Sequence, residues 1–211
     1  MSRERPLAIV DYGMGNLRSV AKAFERLGHA ATVTRDPVAI GEAPGVVLPG
    51  VGAFGACMQN LEGYGLSDPV RRVLDEGRPF LGICVGMQLL FEESEEFGPV
   101  PGLGVLRGRV RRFQATPDRK VPHMGWNELR VARWHPFLDG VDDGAYVYFV
   151  HSYYVEADDE DDVAATTPYG VDFASCVVRD NVVASQFHPE KSQRVGLRLL
   201  ENFVREVVER A

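Results

Sequence analysis

The chain has 211 residues, 45% of them hydrophobic and 25% charged, with a formal net charge of −7. That length suits one domain with a sizeable core, and the composition excludes disordered, collagen-like and membrane-embedded classes. The acidic balance supplies no positive field for a nucleic-acid backbone or an anionic lipid surface, so neither is an expected partner.

In chain order, the apolar run at residues 7–10 predicts a strand and residues 11–16 a tight turn. Leu17, Val20, Ala21, Phe24 and Leu27 then recur at helical spacing up to Gly28. The stretch from Met1 to Asp11 has no leader-like apolar region, and no later run reaches membrane-spanning length. Cys57, Cys84 and Cys176 are odd in number and widely spaced, which fits neither a disulfide framework nor a metal site. A reducing, cytoplasmic setting is therefore expected.

Further strands are predicted at residues 31–34, 45–48 and 79–83, the last running into a helix from Val85 to about Glu95. Alternating β and α elements imply a parallel sheet covered on both faces. Arg107, Arg109, Arg111 and Arg112 nearly alternate, which reads as the solvated face of a strand and is assigned no function. In the second half, β-branched and aromatic runs at residues 146–150, 153–156, 173–179 and 182–187 suggest antiparallel or mixed pairing. Residues 156–162 are expected as a solvated acidic loop, without calcium-loop spacing. Val195, Leu199, Phe203 and Val207 place one apolar stripe on a final helix, residues 193–210. The expected fold is thus a single α/β domain over residues 1–211. Its central mixed, mostly parallel sheet is flanked by helices, with an antiparallel portion in the second half.

The sharpest chemical signal is Gly82-Ile83-Cys84-Val85-Gly86-Met87-Gln88, an apolar strand entering Gly-x-Cys-x-Gly and then a helix. This has the form of a nucleophile elbow, in which small flanking residues let the backbone bend sharply and present a side chain at a strand's carboxyl end. A helix N-terminus there also favours the thiolate, the reacting species. Read blandly, Cys84 is a small buried hydrophobe, as Cys57 and Cys176 are expected to be.

Such a thiolate needs a proton donor for its leaving group. His188-Pro189-Glu190 closes an apolar strand-like run. Proline favours extended backbone before it, so the carboxylate two residues on can reach the imidazole. Cys84, His188 and Glu190 would then form a triad assembled from distant segments. A third element, Pro49-Gly50-Val51-Gly52, is a glycine-rich turn after a strand. The backbone amides of Val51 and Gly52, with that of Val85, can form an oxyanion hole.

These three motifs in this order resemble the class I glutamine amidotransferases. The resemblance implies attack of Cys84 on the carboxamide of glutamine, release of ammonia, and hydrolysis of a glutamyl thioester. It also implies that Gly50, Gly52, Gln88, Glu96 and the backbone of Ser152 and Tyr153 hold the substrate. Three further segments, Asp11 to Val20, Val121 to Asn127 and Phe149 to Tyr153, are similar to one branch of the family. In that branch a glutaminase feeds ammonia to a (β/α)₈-barrel cyclase in histidine biosynthesis. A heterodimer is therefore implied, with Asn16, Met124, Trp126 and Lys191 on the docking face and a Val51 peptide that reorients when the cyclase is occupied. No cofactor or metal is implied.

Other readings are a dinucleotide-binding module, from Gly13, Gly15 and Asp36, which lacks its third glycine because Arg18 stands there. A noncatalytic scaffold of the same fold is another. The glutaminase of another synthase, such as anthranilate synthase, is the third.

Overall fold

The computed structural model describes residues 5–211; the first four residues, part of the stretch read for a leader, lie outside the described residues. The first half runs β1 (Leu7–Val10), α1 (Leu17–Arg26), β2 (Ala31–Thr34), α2 (Pro37–Glu42), β3 (Val46–Gly50), α3 (Phe54–Gly63), α4 (Ser67–Asp75), β4 (Phe80–Cys84) and α5 (Val85–Gln88). Seven strands follow: β5 (Phe91–Ser94), β6 (Val100–Pro101), β7 (Leu106–Arg112), β8 (His123–Val131), β9 (Ala145–His151), β10 (Tyr153–Ala157) and β11 (Val163–Pro168). The chain closes with β12 (Asp172–Arg179), β13 (Val182–Ser185) and α6 (Gln193–Asn202), whose helix continues in π-type turns through Phe203–Val208.

Strands β2, β1, β3, β4 and β13 pair in parallel, in that order. Beyond β13 the pairing turns antiparallel through β12, β10 and β7, and β7 pairs β5 in parallel. Off this path, β12 pairs β11, which leads through β8 to β9. Every residue of β1, β3, β4 and β13 is buried, as parallel strands covered on both faces must be. α1 lies beside α6 and α2 beside α4, giving the parallel half its two helical layers. The predicted stripe on the last helix is buried at Leu199, Phe203 and Val207.

Two expectations need correction. The helix after Cys84 ends at Gln88 rather than near Glu95. The carbonyl of Leu89 is taken by the amide of Leu103 at 2.7 Å and that of Leu90 by Val105 and Leu106 at 2.8 and 2.9 Å, so a continuing helix has no acceptors there and the chain turns into β5. The acidic segment is not wholly solvated: Asp162 is 4% exposed and is held by Arg179, with Nε donating to Oδ1 at 2.9 Å. One ion pair with a hydrogen-bonded guanidinium is enough to bury a single carboxylate of the run. Asp36, one of the residues behind the dinucleotide-binding alternative, caps α2 instead: its carboxylate accepts from the amide of Val38 at 2.9 Å. No helix among the described residues is long and apolar enough to cross a membrane.

Candidate active site

β4 lies between β3 and β13, with Gly50 in register with Cys84. The strand ends abruptly because Cys84 adopts φ +55° and ψ −111°, a conformation that costs a side-chain-bearing residue about 1–3 kcal/mol. The neighbouring glycines are needed for close approach. A Cβ on Gly86 would sit 1.8 Å from the Leu48 carbonyl oxygen, and one on Gly82 would sit 2.9 Å from the carbonyl oxygen of Gly86. α5 has only four residues, so its dipole is short and the charge partner of the thiol has to be found elsewhere.

That partner is His188. Its amide donates to the Tyr148 carbonyl at 3.0 Å, and its own carbonyl accepts from the Ser192 hydroxyl at 2.7 Å. Nδ1 lies 2.9 Å from Oε1 of Glu190, with side-chain exposures of 2% and 1%. Nε2 is buried and makes no hydrogen bond of good geometry, yet it is close enough to Cys84 for the sulfur to favour the protonated ring. Burial alone would push the ring's pKa down; Cys84 and Glu190 outweigh it and raise it to about 10. The arrangement favours a protonated His188 ring beside the Cys84 sulfur. The other two cysteines are held as neutral thiols: burial pushes Cys57 up to about 11 and Cys176 to about 12.

Cys84 and His188 open into a cavity of about 320 Å³. Its wall also includes Val51, Gly52, Val85, Gln88, Glu96, Ser152, Tyr153 and Lys191, all named from the sequence. Glu190 stands behind His188, away from the cavity, and Gly50 lies under the turn, where a Cβ would come within 2.7 Å of the Tyr12 hydroxyl. Gly52 has φ +95°, which a glycine adopts without strain. Glu96 accepts from the amide of Phe54 at 2.6 Å, so its carboxylate is held at the start of α3. Asn16, Met124 and Trp126 do not line the cavity. Met124 is paired with Val150, which does, so it stands one strand away from the wall.

One residue escaped the sequence reading. Gln186 is fully buried, and its Nε2 lies 3.7 Å from Sγ of Cys84. The signal was present: it is a polar residue in an apolar run, two positions before His188 and thus on the same side of the extended chain.

The glutamine amidotransferase class-I family model matches residues 8–207. An imidazole glycerol phosphate synthase subunit HisH from Geobacter metallireducens is 58% identical over 202 residues, covering 93% of this chain and 96% of that relative. The chain belongs to the HisH family of class I glutamine amidotransferases. The protein of the same name from Geobacter sulfurreducens is equally similar, 58% over 202 residues, with 93% and 97% coverage. A crystal structure of a glutamine amidotransferase superimposes with a TM-score of 0.74 at 25% identity, covering 96% of this chain and 98% of that one. The sheet, mostly parallel at first and antiparallel later, is the fold of this family.

Two further imidazoles are buried, those of His123 and His151, and burial pushes their pKa values down to about 4 and about 3. Both lie below the unfolded value near 6.5, so the folded chain refuses protons that the unfolded chain accepts. Stability is then fully present above pH 6.5 and is lost as the pH falls toward 4, by about 1.4 kcal/mol per pH unit for each ring. His188 acts in the opposite window: its raised pKa gives stability below pH 6.5 that is lost on the way to about 10. Urea midpoints between pH 6.5 and 5.0 should fall steeply for the native chain and less steeply for His123→Phe. Equal slopes for the two would contradict the assignment.

Proposed function

We propose that this chain is the glutaminase subunit of an imidazole glycerol phosphate synthase, with residues 1–211 forming one amidotransferase domain that works in the cytoplasm. Its partner is the (β/α)₈-barrel cyclase of that synthase, which consumes ammonia to make imidazole glycerol phosphate and aminoimidazole carboxamide ribotide. The observation that carries the chemistry is the line Cys84, His188, Glu190, with Nδ1 of the ring 2.9 Å from the carboxylate and the sulfur open to a cavity.

The Cys84 thiolate attacks the side-chain carboxamide carbon of glutamine, forming the C–S bond and placing negative charge on the oxygen. The amides of Val51, Gly52 and Val85, on the cavity wall beside the sulfur, receive that charge. The His188 imidazolium gives its Nε2 proton to the nitrogen, the C–N bond breaks and ammonia leaves. Water then attacks the thioester, His188 takes a proton from it, and glutamate departs with the thiolate restored. Glu190 orients the ring and stabilises its cation throughout. At the far end of the substrate, the Glu96 carboxylate suits the α-ammonium group, while Gly50 and Gly52, Gln88 and the backbone of Ser152 and Tyr153 form the rest of the cradle.

The docking face is supported by exposure of the wrong kind for an isolated chain. Met124 and Trp126 are 63% and 45% exposed, on the outer side of β8. Trp126 meets Tyr148 edge-on at 6.0 Å, and Lys191 lies over the same Tyr148 ring at 5.9 Å, beside the cavity. With Asn16 at the start of α1, these residues would surround the exit through which ammonia passes.

Glutamate production from glutamine should be slow for the chain alone, where the Val51 peptide is not yet set. It should rise on the order of 100-fold with the cyclase and its nucleotide ligand. Activity without stimulation would keep the glutaminase and reopen the choice of synthase. No glutamate in either condition would favour a noncatalytic role.

A further inference from the structure

At the cavity wall, His151 meets His123 behind it, and neither has a part in the reaction above. They are paired across β8 and β9, and Nδ1 of His123 lies 2.9 Å from Nε2 of His151. His123 is sandwiched between Phe149 and Tyr169, with ring centroids at 4.8 and 4.0 Å. His151 meets Phe113 and Phe173 edge-on at 5.3 and 5.1 Å and lines the cavity.

The proton positions follow from backbone groups at the two ends, each of which has only one role. The amide of Glu128 donates to Oδ1 of Asn127 at 2.8 Å, so the Asn127 nitrogen is turned the other way. It donates to the Pro168 carbonyl at 2.9 Å and to Nε2 of His123 at 3.2 Å. His123 therefore carries its proton on Nδ1 and donates to Nε2 of His151, whose own proton must be on Nδ1. That proton goes to the carbonyl of Tyr153, at 2.8 Å. Every donor and acceptor is matched only when both rings are neutral and protonated on Nδ1.

The Tyr153 carbonyl also accepts from Nε2 of Gln88 at 3.0 Å. The other hydrogen of that nitrogen goes to Oε1 of Gln186 at 2.9 Å, and Gln186 in turn approaches Cys84. An unbroken chain of bonds thus joins β8 to the nucleophile.

We infer that His123 and His151 are positioning residues, a tautomer-locked pair that fixes the Tyr153 peptide and the Gln88 amide on the wall that holds glutamine. The inference rests on the proposed glutaminase. The aromatic box keeps the pair uncharged, so no second cation competes with the imidazolium of His188. Since Met124 and Trp126 project from the opposite side of the same strand, the pair also ties the substrate wall to the outer apolar face.

The test combines ¹⁵N spectra of the histidine-labelled chain with glutaminase kinetics in the presence of the cyclase. Both rings should show a protonated Nδ1 and a bare Nε2 at pH 7. His123→Phe keeps the stacking and removes both ring nitrogens. It should raise KM for glutamine about tenfold with kcat within about threefold of the native value. His123→Gln, whose amide can again donate to His151, should recover most of the loss. A proton on Nε2 of either ring, or an unchanged KM for His123→Phe in an active enzyme, would overturn the role. Should that variant fail to fold, the spectrum of the native chain still decides. A native chain that released no glutamate would remove the glutaminase and any glutamine-positioning role with it, a result distinct from a changed tautomer in an active enzyme.

Discussion

Cys84→Ala should lower glutamate release by at least about 10⁴-fold in the presence of the cyclase, leaving the far-ultraviolet circular dichroism unchanged. The whole reaction passes through a bond to this sulfur, so no partial compensation is available from its neighbours. Cys57 lies nearby, but its sulfur donates to the Val51 carbonyl at 3.5 Å and burial holds it as a neutral thiol. Cys176 is fully buried in β12. The alanine also sits in the same positive-φ conformation as the cysteine, so backbone strain is unchanged and the comparison isolates the thiolate. Residual activity within about tenfold of the native chain would mean that the chemistry runs by another route.

The second large effect is on stability. Gly86→Ala should cost about 3 kcal/mol or more, a fall in Tm of roughly 6–12 °C for a chain of this length. The added Cβ would fall 1.8 Å from the Leu48 oxygen and 2.9 Å from the Leu48 carbonyl carbon, and both are backbone atoms of β3. A flexible side chain would swing aside; a fully buried central strand does not. Relief would require α5 to lift away from β3, which carries Val85 off the oxyanion turn, so activity should fall with stability. Calorimetric scans of the two chains check this directly, and an unchanged Tm would show that the elbow is looser than its geometry implies.

The elbow was legible because its causes are local. Glycines at 82 and 86, an apolar strand before and a helix start after are enough to define the bend. The pairing of His188 with Glu190 was legible for a similar reason, through proline and extended geometry two residues apart. What stayed hidden depended on distant partners. The helix after Cys84 stops because amides near position 105 capture its carbonyls, and nothing between Val85 and Glu95 announces them. β8 was missed because its alternation is inverted. His123, Gly125 and Asn127 take one side, and the large apolar Met124 and Trp126 face outward, so the period-two pattern of a half-buried strand has the wrong sign. Asp162 was misread since its burial depends on Arg179, on the next strand but one.

The outward side of β8 and β9 has a consequence for the cell. Met124, Trp126 and Tyr146 leave an aromatic and apolar strip uncovered on the free chain, at 63%, 45% and 57% exposure. Strips of this kind associate indiscriminately when their intended cover is missing. An excess of this subunit over the proposed cyclase partner would therefore be a burden as well as a waste, and matched synthesis of the two chains is the economical arrangement. In heterologous expression the same reasoning favours producing both from one transcript.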